Sequence, residues 1–208
     1  MRIGIIGAGS VGGTLGQGWT RAGHEVTFGV RDAVHPKVVK LVEQTGAKAG
    51  TVAEAAAFGE VVAFATPWEA TEDAVRSAGD LRGKIVLDCT NPLAPQLAGL
   101  TLGHTTSAGE QVASWAAGAR VVKIFNTTGA NNMANPDFQG VAATMFYCGD
   151  DADAKTVASR LAADLGFDPV DAGKLEQARL LEPLALLWIR LAYVQQMGRE
   201  IAFKLLQR

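Results

Sequence analysis

The chain of 208 residues holds only two cysteines, Cys89 and Cys148. Two thiols cannot form a disulfide framework, and both fall inside apolar, strand-like runs, so they read as buried and reduced, the state expected in the cytoplasm. Three histidines, His24, His35 and His104, are scattered without metal-ligand spacing, and no nucleophile–base–orienter set is apparent; no metal is expected. Charge of one sign is absent too. With 19 Lys and Arg against 21 Asp and Glu, no basic footprint for nucleic acid exists, which leaves a small molecule as the expected ligand. The longest apolar stretch, Leu184 to Ile189, is far short of the roughly 20 residues that span a bilayer. The first strand pattern begins almost at Met1, leaving no room for a signal peptide before it.

Glycine, in contrast, is abundant, and six residues near the N-terminus use it in a pattern. Ile3 to Ile6 forms a short apolar run that leads into Gly7-Ala8-Gly9-Ser10-Val11-Gly12, and a periodic segment with Leu15 and Trp19 follows. This is strand, tight turn, helix. In a dinucleotide-binding fingerprint the first glycine makes the turn, the second lets backbone approach a pyrophosphate, and the third lets helix and strand pack closely. The phosphates then lie at a helix N-terminus, where free N–H groups and the helix dipole favour anions. A second strand pattern, Glu25 to Val30, completes the context that the fingerprint requires.

The end of that second strand selects the dinucleotide. An NAD site places an acidic side chain there to hold ribose hydroxyls, whereas a nearby Arg accommodates a 2′-phosphate. Here Val30 is followed by Arg31, with Lys37 a helical turn later, so NADP(H) is the expected cofactor. Asp32 keeps NAD open but also suits a turn cap.

Further strand patterns follow at Glu60–Ala65, Lys84–Cys89, Val121–Asn126, Met145–Gly149 and Asp168–Asp171, alternating with helical segments at 36–45, 107–118 and 151–165 and with an alanine-rich short helix that opens on the capping-box spacing of Thr51 and Glu54. Continuous apolar strands separated by helices indicate an α/β fold, a Rossmann-type, doubly wound, mainly parallel sheet. In such sheets ligands gather outside the carboxyl ends of the strands. Ala65, Thr66 and Pro67, then Asn91 and Pro92, and then Asn126 and Thr127 occupy those ends, so they are the expected neighbours of ribose and nicotinamide. Asn126, Thr127 and Pro67 are expected to line the hydride site. Trp68 suits either core packing or ligand stacking. Residues 94–106 lack a period, and His104 within them reads as a solvated loop histidine. After the expected Rossmann domain, residues 1–173, a leucine-rich helical extension, residues 174–208, carries apolar side chains on more than one face, which suits a subunit interface or a lid over the substrate pocket.

Seven segments carry a family resemblance: IGIIGAGSVG, GHEVTFGVR, ATPW, LDCTNP, VVKIFNT, CGDD and LGFDPVDAGKL. Together they resemble the NADP oxidoreductases that use the deazaflavin coenzyme F420, and the related NADPH-binding reductase domain of six-transmembrane metalloreductases. The resemblance implies NADP(H) bound through the glycine loop, a 2′-phosphate site after strand two, a flavin or deazaflavin stacked on the nicotinamide, and a homodimer. Val30-Arg31 departs from the Ser-Arg usual after strand two, and Phe125-Asn126 is closer to the metalloreductase version than to the deazaflavin one. No membrane-spanning run follows, which argues against an integral metalloreductase. The expected activity is NADPH-dependent hydride transfer to a flavin, deazaflavin or related small acceptor. Two alternatives stay open: an imine or β-hydroxy acid reductase with the same N-terminal fold, and a binding module that senses NADPH without turnover.

Overall fold

A computed structural model describes all residues from 1 to 208. The chain alternates strand and helix: β1 (Arg2–Ile6), α1 (Ser10–Arg21), β2 (Glu25–Gly29), α2 (Pro36–Thr45), β3 (Lys48–Gly50), α3 (Val52–Phe58), β4 (Val61–Phe64), α4 (Thr71–Ser77), β5 (Ile85–Asp88), α5 (Ala108–Trp115) and β6 (Arg120–Lys123). A short helix α6 (Ala130–Ala134) and a two-stranded ribbon, β7 (Asp137–Phe138) and β8 (Val141–Ala142), lead into β9 (Thr144–Gly149), α7 (Ala152–Ala163), β10 (Asp168–Asp171) and α8 (Ala178–Ile189). The main sheet has eight strands in the order β10-β9-β6-β5-β4-β1-β2-β3. All neighbours run parallel except β6 and β9, which pair antiparallel through Val122↔Gly149 and Lys123↔Cys148. The fold is thus Rossmann-type with a reversed two-strand addition beyond β6 and a short helical extension at the end.

Period-two alternation within the apolar strands explains why the sheet is covered on both faces. Along β4, Val61 and Ala63 join the apolar layer beneath α1, α2 and α7, whereas Val62 and Phe64 join the layer beneath α3, α4 and α5. Local signals fix the helix ends. Thr51 and Glu54 form a reciprocal capping box at the start of α3, Asp151 caps α7, and Gly46 in a left-handed conformation stops α2 after its N-terminal Pro36. Trp19, fully buried on α1, donates its indole N–H to the Leu161 carbonyl of α7 at 3.0 Å, tying the first helix to the last third of the chain.

Strand β3 and the β7–β8 ribbon carry no clear apolar pattern: Lys48-Ala49-Gly50 pairs through its backbone with β2 and sits at the sheet edge. The C-terminal extension also differs from a simple helix. After α8 a single π turn (Arg190–Val194) ends the helical path, and the chain runs back along its own core as a strap. The Thr144 N–H donates to the Phe203 carbonyl at 2.9 Å, and the Trp188 indole donates to the Ile201 carbonyl at 2.6 Å. No helix is long and apolar enough to cross a membrane.

Candidate functional site

The first turn is built by glycines with different tasks. Gly7 adopts φ +103°, and its N–H donates to the Gly29 carbonyl at 3.0 Å, so the chain leaves β1 in a conformation that L side chains rarely adopt. A Cβ on Gly12 would lie 2.0 Å from the Gly7 carbonyl oxygen, so helix α1 can begin this close to the strand only with glycine there. Around Gly9 there is open space. Gly9 is the N-cap of α1 and offers no side-chain cap, and no acidic residue occupies the first turn. The first N–H groups of α1 therefore face outward, beside Ala8, Ser10 and Val11, as an unneutralised positive end.

Next to this turn a cleft of about 420 Å³ opens at the carboxyl ends of β1, β4 and β5. Val11, Ala65, Thr66, Pro67, Cys89 and Asn91 line it, with the Trp68 ring at one side. Trp68 stacks on Trp115 of α5, with ring centroids 5.4 Å apart and planes 27° from parallel, so it both packs on the core and walls the cleft. Thr66 and Thr71 are hydrogen-bonded through their hydroxyls, which fixes the β4 exit. Residues 93–97 cover the outer edge; this loop is pinned by a Leu93–Leu100 bridge and by Arg190 donating to the Ala98 carbonyl.

At the far end of the cleft two asparagines clasp one another. Asn91 Nδ2 donates to the Asn126 backbone carbonyl at 2.9 Å, while Asn126 Nδ2 donates to Asn91 Oδ1 at 3.1 Å and to the Leu181 carbonyl at 3.2 Å. Because both partners of Asn126 Nδ2 are acceptors, the amide cannot be flipped, and its Oδ1 remains buried without a donor. Phe125, the residue before, has φ +61° and is buried among Trp19 and Phe167. An aromatic residue in that region is strained by about 1–3 kcal/mol, which persists only where the surroundings dictate it. Thr127 is buried as well, its hydroxyl 4.0 Å from Met145 Sδ. Pro92 is buried beside Asn91.

The opposite end is open. Val30 is half-buried after β2, and Arg31 and Lys37 are exposed. Asp32 Oδ1 accepts the Val34 N–H at 3.0 Å, the turn cap that its position suggested. His104 is exposed in the loop, with φ +59°. Cys89 and Cys148 are free and buried; burial pushes the Cys148 thiol up to about 12 and raises Cys89 as well, so neither supplies a thiolate near neutral pH.

One cluster was missed in the sequence. Lys123, inside the run VVKIF, is completely buried and lies 2.9 Å from Asp88 Oδ2 and 2.9 Å from Glu182 Oε1. Its ammonium also donates to the Thr90 carbonyl at 2.5 Å. Asp88 Oδ1 accepts the Thr90 N–H and hydroxyl, and Glu182 accepts the Ala108 and Gly109 N–H groups at the start of α5. Burial alone would draw the lysine pKa down, but Asp88 and Glu182 outweigh it and hold the ammonium above its ordinary value. A lysine in the middle of an apolar strand was the only available signal, and its two partners are 35 and 59 residues away.

The chain is similar to known proteins both in sequence and in fold. Residues 2–92 match the family model described as NADP oxidoreductase, coenzyme F420-dependent. A solved structure described as a putative F420-dependent NADP-reductase from Arthrobacter sp. FB24 is 33% identical, covers 100% of both chains and superposes with a TM-score of 0.92. The metalloreductase STEAP3 of Rattus norvegicus is 31% identical over 185 residues, which is 89% of this chain; the chain spans only 36% of that relative's length. A reductive aminase from Aspergillus terreus shares the fold at 24% identity and a TM-score of 0.68, with 94% of this chain covering 62% of that one. With the glycine turn, the open helix N-terminus and the cleft at the strand ends already in place, these likenesses make the chain a member of the coenzyme F420-dependent NADP oxidoreductase family, an NADP-dependent reductase.

Proposed function

We propose that the protein transfers hydride between NADP(H) and a flavin, a deazaflavin such as coenzyme F420, or a related small planar acceptor. The carrying observation is the chemistry of the cleft. Its lining includes one carboxylate, Glu69, and one thiol, that of Cys89, whose pKa is raised; the remaining side chains are apolar or carry neutral amides and hydroxyls. Hydride transfer between two stacked rings needs orientation and no covalent step by the protein, and the negative charge it delivers spreads over the acceptor ring. Imine reduction, in contrast, calls for a proton at the reacting nitrogen.

In this reading the glycine turn, residues 7–12, holds the pyrophosphate at the start of α1 through the N–H groups that follow Gly7, while Val30 packs on the adenosine and Arg31 and Lys37 meet the 2′-phosphate. Ala65, Thr66 and Pro67 border the central riboses, and Asn91, Pro92, Asn126 and Thr127 border the nicotinamide. NADP(H) supplies the hydride chemistry; the chain positions the ring and keeps water from it.

The outer face of α8 suggests how the chain assembles. Leu180, Leu187 and Val194 recur at seven-residue spacing and are 66%, 49% and 52% exposed, with Met197 beyond them at 59%. Such a stripe fits a second copy, so the Rossmann domain, residues 1–173, would carry the cofactor and residues 174–208 the contact between subunits of a cytoplasmic homodimer.

Loss of NADPH absorbance, followed with FMN, coenzyme F420 and a cyclic imine in parallel, tests the reaction. Turnover with FMN or coenzyme F420 is expected. Turnover with the imine alone overturns the proposal, and tight NADPH binding without turnover of any of the three makes the protein a binding module. Sedimentation equilibrium separately tests the dimer, with Leu187→Glu expected to yield monomers.

A further inference from the structure

We infer that Lys123 is a positioning residue that locks the nicotinamide end of the cleft by clamping the Thr90 carbonyl between two buried carboxylates. The inference rests on the reading that the nicotinamide half of the dinucleotide lies at the ends of β5 and β6. Three buried charged groups are an expensive way to hold a fold together, because desolvation consumes most of their attraction, and apolar residues of similar volume stabilise as well or better. What apolar residues cannot do is fix the direction of a peptide group. Lys123 Nζ draws the Thr90 carbonyl inward, and Asp88 Oδ1 takes both the N–H and the hydroxyl of the same residue. Every polar group of Thr90 is thereby used on the inner side.

The next residue is Asn91, whose side chain lines the cleft and is clasped to Asn126. Asn126 follows closely after Lys123 in the chain, so the same cluster anchors both strand ends that carry the amide pair. Glu182 adds the third connection: it binds Lys123 and the first N–H groups of α5, while the carbonyl of its neighbour Leu181 accepts from Asn126. Helix α8 is therefore joined to the amide pair by a buried charge and a hydrogen bond. It acts as a fixed wall of the reactive end.

The glycine turn and Arg31 lie at β1 and β2, and none of their groups touches the cluster. Loosening Lys123 should thus weaken one half of the dinucleotide only. Lys123→Met combined with Asp88→Asn removes one charge of each sign, leaving the cluster's net charge unchanged; the amide oxygen that replaces the Asp88 carboxylate can still accept from Thr90, and Glu182 keeps its two N–H donors. The ligands are NADPH and adenosine 2′,5′-bisphosphate, which carries the adenosine and phosphate end without nicotinamide, titrated by calorimetry. Wild type is expected to bind both, NADPH more tightly. In the double variant the bisphosphate should bind as before while NADPH weakens by roughly tenfold, as expected when a single buried polar constraint is lost. A parallel loss for both ligands, or no loss for either, overturns the positioning role. No binding of either ligand to wild type would instead overturn the nucleotide reading itself.

A second measurement uses the unaltered protein. The nitrogen-15 signal of Lys123 Nζ is read by carbon-detected NMR through its own side-chain carbons, which does not depend on slow proton exchange. That signal should shift on adding NADPH and stay in place with the bisphosphate; indifference to NADPH overturns the inference even if the double variant fails to fold.

Discussion

The two ends of the dinucleotide cleft are built on different principles. At the β1–β2 end the work is done by backbone and by exposed cations: Gly7 turns, Gly12 allows close approach, α1 presents bare N–H groups, and Arg31 and Lys37 stand in solvent. At the β5–β6 end it is done by side chains held by other side chains, buried Lys123 between buried Asp88 and Glu182, and buried Asn126 against half-buried Asn91. In the proposed function the first end binds a constant, highly charged group for which free N–H donors suffice. In the same proposal the second would hold one ring at a fixed distance and angle from another, where a small displacement costs rate.

This contrast is sharpest in what single changes should do. Lys123→Met alone leaves two buried carboxylates without their cation, so it should cost about 3–5 kcal/mol in denaturant unfolding, with Asp88→Asn restoring part of the loss. Recovery of wild-type stability by Lys123→Met alone would show that the cluster is not internally paired. At the other end Gly9→Val meets no neighbour, since nothing lies within 4 Å of a Cβ there, so the thermal midpoint should hold while NADPH affinity falls by about a hundredfold or more, roughly 2.7 kcal/mol. Full affinity in Gly9→Val would refute the pyrophosphate assignment. Arg31→Ala should lower NADPH affinity by about tenfold, roughly 1.4 kcal/mol, and leave NADH unchanged. Equal binding of both dinucleotides by wild type would move discrimination to Asp32.

The smallest effect belongs to the rim of the α8 wall. Arg179 donates to Glu110 at 2.5 and 2.9 Å and, with Ser107, holds its carboxyl below the ordinary value. A carboxylate whose pKa is depressed by folding contributes stability that is present above the unfolded value, near 4.5, and is lost as pH falls through the folded one. Glu110→Gln should therefore be slightly less stable than wild type at neutral pH, with the gap closing in acid. A gap that widens below pH 4.5 would contradict the pairing.

The same contrast sets how much could be read from the sequence. The β1–β2 end is written in consecutive residues, so the turn, the helix start and the Asp32 cap were legible from Gly7 to Val34. That the sheet is mainly parallel followed from apolar runs with helices between them; the order of its strands did not. The reversal of β9 was not legible, because Met145 to Gly149 alternates in the same way whichever direction it runs. Asn91 and Asn126 were identified by their places at strand ends, but their mutual clasp needs two segments 35 residues apart to meet. Lys123 was hidden by its neighbours: in VVKIF a single cation looks like a strand residue turned to solvent, and only Asp88 and Glu182 show that it faces inward. The strap from 195 to 208 was illegible for a related reason, since its partners Thr144 and Trp188 lie outside it.

Glu182 also has a consequence for biosynthesis. A nascent chain that has left the ribosome through β6 already contains Lys123, Asp88 and the start of α5, yet the group that binds both Lys123 and the first N–H groups of α5 is still unmade. Until residue 182 emerges, Lys123 has Asp88 as its one carboxylate partner, and the Ala108 and Gly109 N–H groups lack their acceptor. The last helix thus sets the moment at which the β5–β6 end of the sheet can close, and an arrest or truncation before it would release a chain whose β1–β2 end is finished and whose β5–β6 end is not.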